Sequence, residues 1–263
     1  MSDPLDMKGK SVIVTGGSSG VGWGITTRFF EVGADVVICD LKEPAELPSE
    51  GKRKALFIKA DVRDPEQIER VVNLAKESFG RLDVLVNNAG VAGPSAKVDT
   101  HDDEGWDDCI RINLSGTFYL TKRAVPLLRR SDGGSVINIS STAALHGYPL
   151  RSAYAASKWG MMGLMKTWAM ELGPEGIRVN EVCPTSVEGP RIDAVIERDA
   201  GQRGLPVEQV RDVYLRQTSM RTFISADDVA DVVLFLASNA AKKISGQSIS
   251  VDGHTEGLSN WLD

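Results

Sequence analysis

Residues 11–22, SVIVTGGSSGVG, join a short run of β-branched residues directly to a glycine-rich turn. The run predicts a buried strand, and the residues from Gly20 onward predict a helix. Glycines at these positions permit a tight turn, and the amino terminus of a helix favours an anion such as pyrophosphate. We therefore expect the turn to bind the pyrophosphate of a dinucleotide. The expected contacts are Gly16, Ser18, Ser19, Gly20, Val21 and Gly22.

The spacing of this turn is G-x-x-x-G-x-G rather than the common dinucleotide pattern G-x-G-x-x-G. A glycine-rich turn without a ligand is the alternative interpretation. The position of the turn between the first predicted strand and the first predicted helix favours the cofactor site.

Strands and helices alternate along the rest of the chain. Because the strands are continuously apolar and separated by helices, they predict a parallel sheet covered on both faces. The fold class is therefore α/β, a single Rossmann-like doubly wound domain over residues 1–263 with a seven-stranded, mainly parallel sheet. The predicted strands are residues 11–15, 35–39, 55–60, 83–87, 135–140, 177–182 and 247–252, and the clearest helices are residues 65–79, 106–129, 152–172 and 226–237.

Residues 188–225 interrupt this alternation with about 38 residues between the sixth strand and the next helix. Such a length is unusual for a simple connection. Residues 192–200 and 206–217 have helical patterns. Since the insertion follows the carboxyl end of a strand, we predict that it is a substrate lid.

Composition excludes several classes of partner and compartment. The net charge of −6 and the absence of a basic run argue against nucleic acid and anionic membranes. No apolar stretch approaches the roughly 20 residues that span a bilayer, and the amino terminus does not resemble a signal peptide. Three cysteines without ligand spacing favour a reducing cytoplasm, with Cys39 and Cys183 as packing residues. The acidic residues 99–108 predict a solvated helix start rather than a metal site.

Asp40 ends the second predicted strand, twenty residues after Gly20. A carboxylate there accepts hydrogen bonds from the adenosine ribose and repels a 2′-phosphate. No arginine lies in the glycine turn or directly after Asp40. The sequence therefore favours NAD over NADP, although Lys42 leaves some tolerance of NADP open.

Tyr154 and Lys158 lie one helical turn apart, so the ammonium is expected beside the phenol. A neighbouring cation favours the phenolate, which is the form that accepts a proton. Ser141 lies thirteen residues before Tyr154, at the end of the fifth strand, where its hydroxyl can bind a substrate oxygen. This combination predicts an enzyme that moves a proton and a hydride.

Together these motifs resemble the short-chain dehydrogenase/reductase family over nearly the whole chain. The resemblance implies a catalytic tetrad of Asn113, Ser141, Tyr154 and Lys158, with Asn113 anchoring a water that relays the proton and with Lys158 also holding the nicotinamide ribose. It also implies a seven-stranded sheet and a homotetramer built partly from residues 106–129 and 152–172. Further cofactor contacts are expected at Asp40, Leu41, Asp61, Val62, Asn88, Ala89, Gly90, Tyr154 and Lys158.

One segment departs from the family pattern. After the sixth strand the family has Pro-Gly and then a threonine that holds the nicotinamide carboxamide, whereas this chain reads Pro184-Thr185-Ser186-Val187-Glu188-Gly189. Pro184 and Val187 are still expected to contact the cofactor, Val187 through its backbone. Thr185 or Ser186 is a candidate for the missing hydroxyl.

The substrate is expected to be the alcohol or ketone of a small polar metabolite: a sugar, a polyol or a hydroxy acid. Arg151 or Arg191 would pair with an anionic group, and Glu188 or His146 would bind hydroxyls. Tyr148 lies near the same pocket mouth, and His254 and Trp261 near the carboxyl end are candidates for closing the pocket. The alternatives are a 3-oxoacyl-thioester reductase and a non-catalytic NAD-binding regulatory protein.

Overall fold

The computed structural model describes residues 4–258, and its centre is a parallel sheet of seven strands. The strands are β1 Ser11–Thr15, β2 Asp35–Asp40, β3 Leu56–Lys59, β4 Val84–Asn87, β5 Ser135–Ile139, β6 Arg178–Pro184 and β7 Ser248–Val251. Their spatial order is β3-β2-β1-β4-β5-β6-β7, so the strand order reverses between β1 and β4. This confirms the predicted doubly wound fold.

Eight α-helices within the described residues cover the sheet and form the insertion. They are α1 Gly20–Glu31, α2 Pro65–Phe79, α3 Asp103–Ile110, α4 Gly116–Leu128, α5 Ser152–Leu172, α6 Pro190–Arg203, α7 Val207–Arg216 and α8 Ala226–Ala237. A π-helical turn, Arg111–Ser115, joins α3 to α4 without a break. Within residues 4–258, every helix is too short or too polar to cross a lipid bilayer.

Two apolar cores lie on opposite faces of the sheet. The first packs α1 and α8 against residues such as Val14 and Ile137, and the second packs α2, α4 and α5 against residues such as Val136 and Val179. Neighbouring residues of a strand face opposite sides, which explains why Val136 and Ile137 belong to different cores. The fully buried strands account for the continuous apolar runs in the sequence.

Local signals explain where two helices begin. The Asp64 side chain accepts hydrogen bonds from the backbone N–H groups of Glu66 and Gln67 and so caps α2. Asp102 caps α3 in the same way through Gly105. The predicted start at Trp106 is therefore wrong by three residues, because an acidic turn already forms the first part of the helix.

A small antiparallel pair, Ser49–Glu50 with Arg53–Lys54, lies outside the main sheet and was not predicted. Strands of two residues carry too little hydrophobic pattern to be recognised. The Arg53 guanidinium holds the pair against α1 by donating to the carbonyl oxygens of Phe30 and Ala34.

The insertion contains two helices, α6 and α7, as the sequence indicates. They share a small apolar core of their own that includes Ile196 and Tyr214. Helix α6 extends beyond the predicted residues 192–200 at both ends. Helix α7 falls inside the predicted residues 206–217.

Candidate active site

One cleft of about 620 Å³ runs along the carboxyl ends of the strands and beneath α6. It brings together nearly all of the predicted site residues, although they come from distant parts of the chain. Those that line it are Gly16, Ser19, Gly20, Val21, Gly22, Asp40, Leu41, Asp61, Val62, Asn88, Ala89, Gly90, Ser141, Tyr154, Lys158, Pro184 and Val187. The lining does not include two of the predicted residues, Ser18 and Asn113.

The glycine turn at one end of the cleft is packed too closely for side chains. A Cβ atom on Gly22 would lie 2.0 Å from the carbonyl oxygen of Gly16. Gly16 itself has a φ of +60°. The Asn88 side chain donates to the carbonyl oxygens of Thr15 and Gly16, so it braces the turn. Ser19 precedes α1 without a side-chain hydrogen bond to the first turn, which leaves the helix amino terminus directed at the cleft.

Asp40 connects the second strand to this turn. Its Oδ2 accepts a hydrogen bond from the backbone N–H of Ser18 at 3.0 Å, and its Oδ1 accepts one from Leu41 at 2.7 Å. Ser18 therefore reaches the site indirectly, by orienting Asp40. Both carboxylate oxygens retain lone pairs that can accept further hydrogen bonds.

Asp61 lies at the same end of the cleft and is held by a cation that the sequence analysis did not identify. Hydrogen bonds from the Arg63 guanidinium lower the pKa of Asp61. Arg63 also pairs with Asp108 at 3.1 Å and lines the cleft. Asp61 and Arg63 are only two positions apart, but their pairing depends on side-chain direction and has no sequence signature.

Tyr154 and Lys158 lie one turn apart on α5, as predicted. The Lys158 Nζ is 5.6 Å from the centre of the Tyr154 ring and donates to the carbonyl oxygen of Ile139 at 2.9 Å. Burial lowers the pKa of Lys158, and the neighbouring Tyr154 opposes this shift. Helical spacing thus places the cation beside the ring, and the end of β5 fixes its direction.

Ser141 lies two residues after the end of β5 and lines the same cleft. Its Oγ accepts a hydrogen bond from the backbone N–H of Ala143 at 3.1 Å. Since that bond uses a lone pair, the hydroxyl proton remains available to a substrate oxygen.

Asn113 is fully buried in the π-helical turn rather than on the cleft surface. Its amide accepts from the Val91 N–H at 2.8 Å and donates to the Val91 carbonyl oxygen and to Ser157 Oγ, both at 3.0 Å. The side chain therefore ties the loop after β4 to α5, behind Tyr154. The predicted water relay at Asn113 stays a prediction.

Backbone hydrogen bonds fix the segment after β6. The Thr185 N–H donates to the Val251 carbonyl oxygen, and the Ser186 carbonyl oxygen accepts from Ile224. Thr185, Ser186 and Gly189 all line the cleft beside Val187. Both candidate hydroxyls thus lie beside Val187, the expected carboxamide contact, and Gly189 has a φ of +131° that favours glycine.

The opposite end of the cleft carries charged side chains. Arg151 pairs with Asp199 of α6 at 3.2 Å, with both side chains 3% exposed, and the Tyr214 hydroxyl of α7 donates to the same carboxylate at 2.5 Å. Tyr148, Glu188 and Arg191 also line this end, as do Gln217 and Leu258, which the sequence analysis missed.

Other expected pocket residues lie elsewhere. The lining does not include His146, and His254 is bonded to Ser219 at 2.7 Å instead. Trp261 lies outside the described residues.

Among residues 4–258, no three His, Cys, Asp or Glu side chains are grouped as metal ligands. Cys39 and Cys183 are free and buried, as the packing interpretation predicts, and burial raises the pKa of Cys39 to about 12.

Comparison with known proteins gives close matches over the whole fold. A family model described as enoyl-(acyl carrier protein) reductase matches residues 16–255. A 3-oxoacyl-[acyl-carrier-protein] reductase of Thermotoga maritima is 36% identical over 95% of this chain and 98% of its own length. A trans-4-hydroxycyclohexanecarboxylate dehydrogenase of Sinomonas cyclohexanicum is 40% identical over 93% of this chain and 92% of its own length.

A solved structure shows the same architecture. Carveol dehydrogenase from Mycobacterium avium, in complex with NAD, is 30% identical, with a TM-score of 0.86 over 95% of this chain and 98% of the other. The family model and these relatives confirm the resemblance drawn from the motifs. The chain belongs to the short-chain dehydrogenase/reductase family, and it is an oxidoreductase that acts on CH–OH groups.

Proposed function

We propose that the protein is an NAD-dependent oxidoreductase that interconverts a secondary alcohol and a ketone in a small hydroxy acid. One observation carries this proposal: Ser141, Tyr154 and Lys158 line the same cleft as the glycine turn and Asp40. A proton acceptor and a dinucleotide site in one cleft are the two requirements for hydride transfer from an alcohol.

The residues of the cleft fit NAD. The close contact between Gly22 and Gly16 keeps the turn free of side chains, and the uncapped start of α1 suits the pyrophosphate. Asp40 would accept from the ribose hydroxyls and repel a 2′-phosphate. Arg63 would not offset that repulsion, because its guanidinium is held by Asp61 and Asp108.

The adenine end would be completed by Leu41 and Val62, and the nicotinamide end by Asn88, Ala89, Gly90, Pro184 and Val187.

NAD, when bound, supplies the hydride acceptor or donor. The side chains of this chain supply the rest. Ser141 donates its hydroxyl proton to the substrate oxygen and so fixes its position. Tyr154 removes the proton from the alcohol, or returns it to the ketone, with the Lys158 ammonium beside its ring. Asn113 holds the loop at Val91 against α5 and so supports this geometry.

Arg151 supports a hydroxy acid over a sugar or polyol. It lines the cleft and is bonded to Asp199 through Nη2, whereas Nη1 is buried without a hydrogen-bond partner within residues 4–258. A buried donor without a partner is unfavourable, and a substrate carboxylate would satisfy it. Arg191 adds a second cation to the lining. The dehydrogenase from Sinomonas cyclohexanicum, whose name specifies a hydroxylated carboxylic acid, fits the same class.

The test is NADH formation by the wild-type enzyme with matched substrates. The panel would contain hydroxy acids, their neutral amides, polyols and sugars, each with NAD and with NADP. We expect the hydroxy acids to have kcat/KM at least about tenfold above their amides, and NAD to be preferred. A tenfold preference for NADP would contradict the cofactor assignment, and equal rates for acids and amides would contradict the role of Arg151.

A 3-oxoacyl-thioester reductase is the second candidate, because the relative from Thermotoga maritima carries that name. Asp40 opposes the NADP that this reaction commonly uses, and the net charge of −6 opposes docking of an acidic carrier protein. Reduction of a 3-oxoacyl thioester with NADPH, at a kcat/KM above that for any hydroxy acid, would favour this candidate.

The resemblance also suggests a homotetramer, a single domain with a lid, and a cytoplasmic location. Met161, Met165 and Trp168 are buried in the core of the chain, so they are not interface residues. Trp159 and Met170, on the outer side of α5, are 50% and 81% exposed and are better candidates for the subunit contact. Sedimentation of the wild-type enzyme would determine its oligomeric state.

A further inference from the structure

Glu181 is a fully buried acid in β6, between the paired residues Asn138 of β5 and Ser248 of β7. Buried glutamates are rare unless they are paired, and this one makes no salt bridge of 4 Å or less within the described residues. Its Oε1 accepts hydrogen bonds from the Cys183 thiol and the Ser248 hydroxyl, both at 3.3 Å.

The face of β6 that carries Glu181 is the one beneath α5. Side chains alternate along a strand, so Glu181 points to the same side as Val179, which packs in the core under α5. Lys158 is the buried cation on this side, and it donates to the carbonyl oxygen of Ile139 at 2.9 Å. Ile139 pairs with Val182, the residue next to Glu181.

Several titratable groups lie around Lys158 and Glu181. The groups that affect the pKa of Lys158 electrostatically are Tyr154 on its own helix, Cys109 on α3, Arg191 on α6 and Glu181 on β6. Burial lowers the pKa of Lys158, and Glu181 is one of the groups that oppose this change. Burial raises the pKa of Glu181, and the Cys183 thiol and Lys158 oppose that rise.

Glu181 has one poorly satisfied oxygen. Its Oε2 and the nearby Ser140 hydroxyl are both buried, and neither makes a hydrogen bond of ordinary length within residues 4–258. Hydrogen bonds therefore hold one oxygen of the carboxyl group and leave the other without a partner, so they do not by themselves account for a buried glutamate. A negative charge on Glu181 would oppose the effect of burial on the Lys158 ammonium.

We propose that Glu181 is the buried counter-charge of Lys158, a positioning residue that keeps the ammonium protonated and directed along α5 toward Tyr154. Its part in turnover rests on the proposed oxidoreductase function. The electrostatic pairing of Glu181 with Lys158 does not, so it can be tested without a substrate.

The first test compares melting temperatures in two backgrounds. Glu181→Gln in the wild-type chain leaves the Lys158 charge uncompensated, and we expect the Tm to fall by about 5 °C. In a Lys158→Met background, the same substitution should leave the Tm within about 1 °C or raise it. Equal decreases in both backgrounds would overturn the proposal. Glu181→Ala removes the same charge and would replace Glu181→Gln if that variant did not fold.

The second test is the pH profile of kcat/KM. In Glu181→Gln the decline at high pH, where Lys158 loses its proton, should move to lower pH by about one unit. Glu181→Asp keeps the charge and should restore the wild-type profile. An unmoved decline in Glu181→Gln, or the same shift in both variants, would overturn the proposal. Absence of turnover with every substrate would instead contradict the proposed function and leave the thermal result intact.

Discussion

The two ends of the cleft are built in different ways. The proposed cofactor end is made largely of backbone, with a glycine turn, the start of α1 and the carboxyl ends of β1, β2 and β4. The substrate end is made of side chains, with Arg151 on one side and Asp199 and Tyr214 of the insertion on the other. Backbone geometry tolerates few changes but leaves a clear sequence pattern, whereas the side-chain network depends on long-range packing.

The largest effect is expected where the two ends meet. Tyr154→Phe removes only the hydroxyl that accepts the proton, so turnover should fall by at least about a thousandfold. NAD affinity, measured by fluorescence titration, should change little, because the glycine turn and Asp40 are untouched. Turnover within about threefold of wild type would show that Tyr154 is not the base.

A substitution at the backbone end should break NAD binding. In Gly22→Ala the new Cβ would lie 2.0 Å from the Gly16 carbonyl oxygen, so the turn must open. We expect the Kd for NAD to rise about a hundredfold, equivalent to about 2.7 kcal/mol. Gly201→Ala in α6 is the matched control, since no atom lies within 4 Å of its Cβ position. Equal affinities in the two variants would contradict the close-packed cradle.

Sequence patterns predicted the backbone end almost completely, and the reason is physical. Strand, turn and helix in residues 11–22 follow from local residue preferences, so Gly16, Gly22 and Asp40 were all identified. The sequence also identifies Asn113 as a candidate. Its hydrogen bonds to Val91 and Ser157 could not be predicted, because they join residues 22 and 44 positions apart.

The substrate end was predicted only in outline. The insertion and its two helices were visible in the pattern, but the pairing of Arg151 with Asp199 joins residues 48 positions apart. Gln217 and Leu258 reach the cleft only because the insertion and the carboxyl-terminal segment fold over it. Glu181 lies within the predicted strand at residues 177–182, and only the fold places it on the face covered by α5, the helix that carries Lys158.

A milder change at the side-chain end should alter substrate preference without affecting the cofactor. Arg151→Lys keeps the charge beside Asp199 but loses the forked geometry that serves two partners. The KM for a hydroxy acid should rise about thirtyfold, corresponding to the loss of one charge-assisted hydrogen bond. Steady-state kinetics with the matching amide provide the control, and an equal rise for both substrates would indicate general damage to the insertion.

The smallest expected effect is a change of cofactor preference. Asp40→Asn removes the negative charge and keeps one acceptor oxygen, which can serve either the Ser18 or the Leu41 amide. The ratio of kcat/KM for NADP to that for NAD should rise about tenfold. An unchanged ratio would show that Asp40 acts on the turn alone and does not select the cofactor.

One cleft is proposed to hold a dinucleotide at its backbone end and a hydroxy acid at its side-chain end. A crystal structure with NAD and a slowly reacting hydroxy acid tests this most directly. We predict that the substrate hydroxyl lies within hydrogen-bond distance of both Ser141 Oγ and the Tyr154 phenol, with its carboxylate on Arg151 Nη1. A Tyr154 phenol directed away from the bound alcohol, with Lys158 turned elsewhere, would contradict the account.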